Sequence, residues 1–432
     1  MDYNSEILIG KKGDRMKPIQ VIIAGAGGRG YGYAQYAKMH PERMQVVGVA
    51  EPRDFHRERI ADEFSIPDAQ VFLDWREMAD AAKFADAIII ATQDAMHEAP
   101  AVAFAELGYG MLLEKPLAPT LEACEHIIEA VKQADIPFAV GHVMRYTQFT
   151  RLVKQLLAEG AIGDLVSVDL VEPVGFWHMA HSFVRGNWRN SQESSFMLLA
   201  KSCHDLDWIH YIMEAKCEQL SSFGTLSHFK PDQAPRGAAK RCLDCPIEVE
   251  QRCPYSAKRI YLDGFVQRGY TGWLVNIITE DLTTEGVTEA LREGPYGRCV
   301  YYCDNDVVDH QVVNMAFDGG QTATFSMMAF TPMEHRSSRL FGTRGQIVGN
   351  GETVELYDFL SDTRKTIEPE SGGNLGIEGH GGGDYGLMNA FTEALLTGDR
   401  NHILSGPEET LASHALVFAA EQSRLENRII RV

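Results

Sequence analysis

No apolar run in the 432-residue chain approaches the roughly 20 residues of a membrane-spanning helix, which excludes a helical membrane protein. The opening MDYNSEILIGKKGDRMKP lacks the charged-then-apolar order of a signal peptide; residues 1–16 read as an N-terminal extension and the protein as cytoplasmic. Basic side chains are in the minority. With 40 Lys and Arg against 60 Asp and Glu the formal net charge is −20, so neither nucleic acid nor an anionic membrane is expected as partner. Cysteine is thin, and 8 residues over this length do not make a disulfide scaffold. Repeats and low-complexity tracts are absent as well. What remains is an ordinary globular composition, 45% hydrophobic and 23% charged, long enough for two cores.

The chain is organised around Pro18–Gly30, PIQVIIAGAGGRG. Ile19, Val21, Ile22 and Ile23 suit one buried strand and are too few for a helix. They break into Gly25-Ala26-Gly27-Gly28-Arg29-Gly30, a fit to G-x-G-x-x-G. In a dinucleotide site Gly25 permits the turn, Gly27 lets backbone approach a pyrophosphate, and Gly30 lets the next helix, Tyr31–Met39, pack on the sheet. The alternative is a glycine-rich turn of some other α/β protein. Context favours the first reading: Met44–Ala50 is a second buried strand ending on Glu51, where an acid would accept hydrogen bonds from an adenosine ribose.

Strand and helix alternate through residue 146. Val71–Leu73, Asp86–Ala91, Gly110–Leu113 and Phe138–Val140 read as strands, with helices at 53–66, Trp75–Lys83, Ala99–Leu107 and Thr120–Ala134. Ligands of such sheets bind beyond the carboxyl ends of the strands. Those ends release Thr92, Gln93 and His97, then Glu114-Lys115-Pro116, then Arg145, all assigned to the cofactor side. From residue 147 the texture changes to alternating strands joined by turns such as Asp318-Gly319-Gly320. The expectation is a doubly wound α/β domain over 17–146 and an α+β substrate and oligomerisation domain over 147–432, built on a large, mostly antiparallel open sheet. Its final helices are expected to pack back on the first domain. Gly372–Gly386 is too glycine-dense for regular structure.

Three groups of residues could carry chemistry. Lys115 leaves a strand end through a proline bend and is either a crevice lysine or a surface one. Lys201, His204 and Asp207 stand at the head of an apolar helix; histidine is the usual proton acceptor when a secondary alcohol is oxidised, though a histidine there can also be structural. Trp177, His178, His181, Arg185, Trp188 and Arg189 combine rings and cations in a way that suits a sugar, or form an ordinary loop. No metal is assigned to the H-x-x-H of His178 and His181. Residues 231–300 form a polar insertion beside the site, with Cys242, Cys245 and Cys253. These read as reduced thiols, or as a zinc site needing a fourth ligand such as Cys203, Cys299, Cys303 or His228. A ferredoxin-type run fails on spacing.

AGAGGRG, ATQDAMH, LLEKPLA, the arginine-bearing VGHVMRY and the helix-opening KSCHDLDWI together resemble the glucose-fructose oxidoreductase / inositol dehydrogenase / rhizopine-catabolism (Gfo/Idh/MocA) family, over roughly Lys17–Val432. The resemblance implies a Rossmann domain, a catalytic Lys115, a catalytic His204 and an acidic Asp207 one turn on. It implies NAD or NADP as cofactor and a sugar, cyclitol or related polyol as substrate. Glu51 favours NAD by repelling a 2′-phosphate, while Arg53 keeps NADP as the minority alternative. The family often carries aspartate four residues before the histidine; here that position is Ala200, with Lys201 beside it. Gly379–Tyr385, with His380, is similar to a glycine-rich segment of NAD-dependent glycosidases in the superfamily, which implies the alternative of transient sugar oxidation, elimination and re-reduction. A homo-oligomer, dimer or tetramer, is expected from the open sheet.

Overall fold

The computed structural model describes residues 17–369 and 380–432, so the expected N-terminal extension lies outside the described residues. Six strands form the first sheet: β1 (Ile19–Ala24), β2 (Met44–Ala50), β3 (Val71–Phe72), β4 (Ala87–Ile90), β5 (Gly110–Leu113) and β6 (Phe138–Val140). All are parallel, in the order β3-β2-β1-β4-β5-β6. The order reverses beside β1, which places the glycine turn at the topological switch point.

Both faces of this sheet are covered, which is why its strands read as unbroken apolar runs. Val21, Ile23, Ile89 and Leu112 face one core, and Ile22, Ile88, Ile90 and Leu113 the other. The first core is closed by Leu387, Met388 and Phe391 of helix Gly383–Thr397, near the far end of the chain. The second takes Phe104 and Ile127 from helices Glu98–Glu106 and Leu121–Ala134. The latter is capped as its sequence demands, with Thr120 Oγ1 accepting from Ala123 N at 3.2 Å. Two helices depart from expectation: the first starts at Gly28, inside the glycine motif, and Trp75–Asp80 stops three residues early.

The second sheet has nine strands: β7 (Leu165–Pro173), β8 (Cys217–Thr225), β9 (His310–Phe317), β10 (Thr322–Met328), β11 (Ser337–Gly342), β12 (Gly345–Gly349), β13 (Val354–Asp358), β14 (Thr363–Ile367) and β15 (Ile430–Arg431). The order is β14-β13-β12-β11-β7-β10-β9-β8-β15, antiparallel except for the β7–β10 pair. One face packs Val168, Phe325 and Met327 against Leu206 and Ile209 of helix Cys203–Met213 and Val417 of helix Pro407–Glu426. Val171 and Phe223 stay exposed on the other. Strand β8 was not anticipated: CEQLSSFGT is serine- and glycine-bearing and its register shifts near Cys217, which hides the alternation. Nor was β14, an exposed and charged edge strand.

The insertion over residues 231–300 is a set of short helical pieces closed at its base by one bridge, Arg241 to Arg298. Part of the glycine-dense stretch proves regular, since Gly381 and Gly382 take φ of +59° and +82° and helix begins at Gly383. Among the described residues no helix is long and apolar enough to cross a membrane.

Candidate active site

Two glycines of the motif are needed by the chain itself. Gly25 has φ +92°, and a Cβ there would lie 2.6 Å from the Ala91 carbonyl oxygen; one at Gly30 would lie 2.0 Å from the Gly25 carbonyl oxygen. Gly27 and Gly28 differ. A Cβ at Gly27 meets only the Arg53 guanidinium at 3.3 Å, and one at Gly28 meets nothing within 4 Å. They leave open backbone at the head of helix Gly28–Met39, where no side chain caps the free N–H groups. That cradle fits the pyrophosphate of a dinucleotide.

Glu51 closes the far side. Its carboxylate accepts from Ala26 N at 2.8 Å and from Arg53 Nε at 2.7 Å. Burial pushes this carboxyl up, but bonds from Arg53 and the Ala26 N–H outweigh it and hold the group below the ordinary carboxylate range. The Arg53 side chain covers Glu51 and is itself 59% exposed. Arg29 points the other way. It donates to Glu114 Oε1 at 2.6 Å and to Asp384 Oδ1 at 2.5 Å, bracing the turn to β5 and to helix Gly383–Thr397.

Lys115 follows β5 and is joined to Pro116 by a cis peptide bond. Its Nζ donates to the carbonyl of Ala200 at 2.9 Å, so the first sheet's lysine touches the segment that carries His204. His204 is buried and its ring lies 5.9 Å from that of His142, edge to face. Asp207, one turn on, is fully buried with both oxygens on Arg145, at 2.7 and 2.8 Å. Burial alone would raise the Asp207 carboxyl; the Arg145 guanidinium and His142 overcome that and hold it at about 2. His142 is drawn the other way by burial, down to about 4, and sits with Nδ1 3.7 Å from Asp207. The His414 ring lies tilted beside it at 5.4 Å and accepts from Leu117 N at 2.9 Å, supporting the lysine loop.

The outer wall comes from the second sheet. Lys201 pairs with Glu172 at 3.0 Å, and Arg336 joins Glu172 to Asp205. Burial opposes ionisation of Glu172, yet Arg336 and Lys201 hold it at about 2. His178, half-buried, lies near this pair and 5.0 Å from the ring of Trp273, which is also 5.8 Å from Trp177. Burial, with Lys201 second, lowers His178 to about 3. Trp188 reaches back to the cofactor side, donating to Asp94 in the turn after β4 at 3.3 Å. Thr92, half-buried, and Gln93, exposed, stand in that turn.

Several expected ligands are instead spent on the protein. Arg145 is buried on Asp207 and the Leu404 carbonyl, and offers no face to a cofactor. His97 is fully buried between the carbonyls of Pro116 and Thr92, at 2.8 and 3.2 Å. His181 stacks on Tyr296 at 4.7 Å and bonds Tyr261, while Arg185 is buried among carbonyls of the insertion. Arg189 is tied to Asp304 at 2.9 Å. His380 opens the turn before helix Gly383–Thr397, and its side chain lies outside the described residues. Missed from sequence were His142, Glu172, Trp273, Arg336 and His414. Only Glu172, ending the alternating LVSVDLVEP strand, had a local signal.

The fold and crevice define a nucleotide-binding α/β oxidoreductase. The model for an oxidoreductase family with an NAD-binding Rossmann fold matches residues 19–142, and that for the family's C-terminal alpha/beta domain matches 154–432. The chain belongs to the Gfo/Idh/MocA oxidoreductase family. YteT of Bacillus subtilis (strain 168), an oxidoreductase by name, is 26% identical over 75% of this chain and 76% of its own. An inositol 2-dehydrogenase of Corynebacterium glutamicum (strain R) is 30% identical over 35% of this chain and 44% of its own. A 2,7-anhydro-N-acetylneuraminate hydratase of Escherichia coli (strain K12) is 25% identical over 48% of this chain and 54% of its own. Among solved structures, levoglucosan dehydrogenase in complex with NADH and levoglucosan has a TM-score of 0.69 at 18% identity, over 96% of this chain and 100% of that one.

Proposed function

We propose that this is an NAD-dependent oxidoreductase moving hydride between nicotinamide and a secondary hydroxyl of a sugar, glycoside or cyclitol. The observation that carries the reading is the Lys115 Nζ bond to Ala200, which brings an ammonium from one sheet to the helix head bearing His204 from the other. Gly25, Gly27, Gly28 and the head of helix Gly28–Met39 would hold the pyrophosphate, Glu51 the adenosine ribose, and Thr92, Gln93 and Lys115 the nicotinamide end. When bound, the cofactor supplies the hydride acceptor or donor.

The rest falls to side chains. His204 takes the hydroxyl proton, and the Lys115 ammonium stabilises the negative charge that develops on that oxygen. His142, neutral at physiological pH, adds no second cation beside the His204 ring. Asp207, ionised and pinned by Arg145, fixes the floor on which His142 rests. A panel of sugars and cyclitols followed by reduced-cofactor absorbance tests this. Expected is turnover that falls about 10²–10⁴-fold in Lys115→Ala and in His204→Ala with cofactor still bound. Full activity in both variants overturns it.

Cofactor choice rests on Glu51 and Arg53. A buried carboxylate disfavours a 2′-phosphate and supports NAD, while the exposed Arg53 is the feature that would admit NADP. The named hydratase relatives support a second reading, a redox-neutral reaction on a sugar-like substrate. Product formed without net cofactor reduction would decide for it. The exposed sheet face with Val171 and Phe223 supports assembly as a homo-oligomer.

A further inference from the structure

The cysteines of the insertion come together in a way their spacing does not announce. Cys242, Cys245, Cys253 and Cys299 line one small cavity. Cys242 and Cys299 arrive from opposite ends of the insertion and stand next to the Arg241–Arg298 bridge, with Cys299 N bonded to Lys240 O at 2.9 Å. The rest of the lining is small or apolar apart from Glu250, Ser256 and Tyr301. Those three are engaged: the Ser256 hydroxyl donates to Glu250 at 2.6 Å, and Tyr301 bonds His228.

A second observation points to what belongs there. Arg185 is buried against this cluster, with Nη2 3.5 Å from Cys242 Sγ. Its other bonds go to the carbonyls of Arg298 and Tyr255, both at 2.7 Å, and Nη1 is buried without a partner. Among the described residues no carboxylate pairs with it. An uncompensated buried cation costs several kcal/mol, and neutral thiols do not offset it. Four thiolates around a metal centre make an anion that does. The insertion, made of short helical pieces with a single isolated strand bridge, is also the kind of segment a metal centre fastens.

Among the described residues no three His, Cys, Asp or Glu are grouped to hold a single metal ion, which does not favour one zinc among these thiols. A four-iron cluster, held by one thiolate at each iron, spreads its ligands farther apart. We propose that Cys242, Cys245, Cys253 and Cys299 ligate a [4Fe–4S] cluster that staples the insertion to the helical segment Met179–Arg185. Each thiol loses its proton and forms one bond to iron; iron and sulfide arrive as the assembled cluster, and no electron passes to or from the chain. Tyr296, three residues before Cys299, stacks on His181, so the cluster would stand close to that ring.

The test is anaerobic purification of the full chain with assay of iron, acid-labile sulfide, zinc and visible absorption. Expected are about four irons and four sulfides per chain with an iron–sulfur chromophore. Cys253→Ser and Cys299→Ser should each lose it, and Cys124→Ala, in the core of the first sheet, should keep it. If the serine variants fail to fold, the wild-type protein decides: stripped of metal, it should regain the chromophore with iron and sulfide. One zinc per chain overturns the cluster. So does metal-free protein that fails reconstitution while all eight thiols react with a thiol reagent.

Discussion

Asp207 and Glu172 are buried carboxylates flanking the same helix head, and arginine holds both at about 2 against the pull of burial. They differ in what surrounds the cation. Arg145, on Asp207, is 1% exposed and bonded throughout, whereas Lys201 and Arg336, on Glu172, are 20% and 19% exposed. The deep pair is part of the frame that holds His142, and its arginine has nothing left to give a ligand. The outer pair keeps partly wetted cations. A carboxylate near a candidate histidine is therefore a poor guide to role until its partner's exposure is known.

Breaking the deep pair should do the most damage. Arg145→Met leaves a buried charge unpaired and should cost about 3–5 kcal/mol of stability, read by denaturant unfolding. If stability is unchanged, the frame interpretation is wrong. Breaking the outer pair should leave the fold nearly intact and act on binding: Glu172→Gln should shift KM about 10-fold, ~1.4 kcal/mol, with kcat little altered. Equal losses of kcat and stability in the two variants would erase the distinction.

Acid should loosen both sides, since burial also lowers His178, beside the outer pair, to about 3. Burial lowers His142 to about 4 and His414 to about 3 from a usual 6.5. The unfolded chain takes up these protons near pH 6.5 and the folded chain does not. Their contribution is therefore complete above that pH and declines by ~1.4 kcal/mol per pH unit for each as pH falls toward 4. Asp207 adds a separate loss between its usual 3.8 and about 2. Melting temperatures from pH 7.5 to 4.5 that stay flat would show these histidines already charged. The smallest effect concerns the cofactor: Arg53→Ala should leave NAD turnover within a few-fold and weaken any use of NADP, measured as the ratio of kcat/KM.

The first sheet was legible because each strand, buried on both faces, announces itself as a short apolar run ending in a loop with chemistry. Lys115 and His204 were proposed that way, at a strand end and a helix head. The outer wall was not. Glu172, Arg336 and Trp273 come from a strand, a loop and the insertion, and only the folded sheet brings them to one place. Arg145, Arg185 and Arg189 misled for the opposite reason: composition reports a cation but not the partner that has already claimed it.

His414, on the last long helix, accepts the hydrogen bond from Leu117 that steadies the lysine loop, and Asp384 grips Arg29 at the glycine turn. Helices Gly383–Thr397 and Pro407–Glu426 thus belong to the second sheet's half of the chain yet steady loops of the first, so loosening either should disturb the glycine turn or the lysine loop while the strands that carry them stay paired.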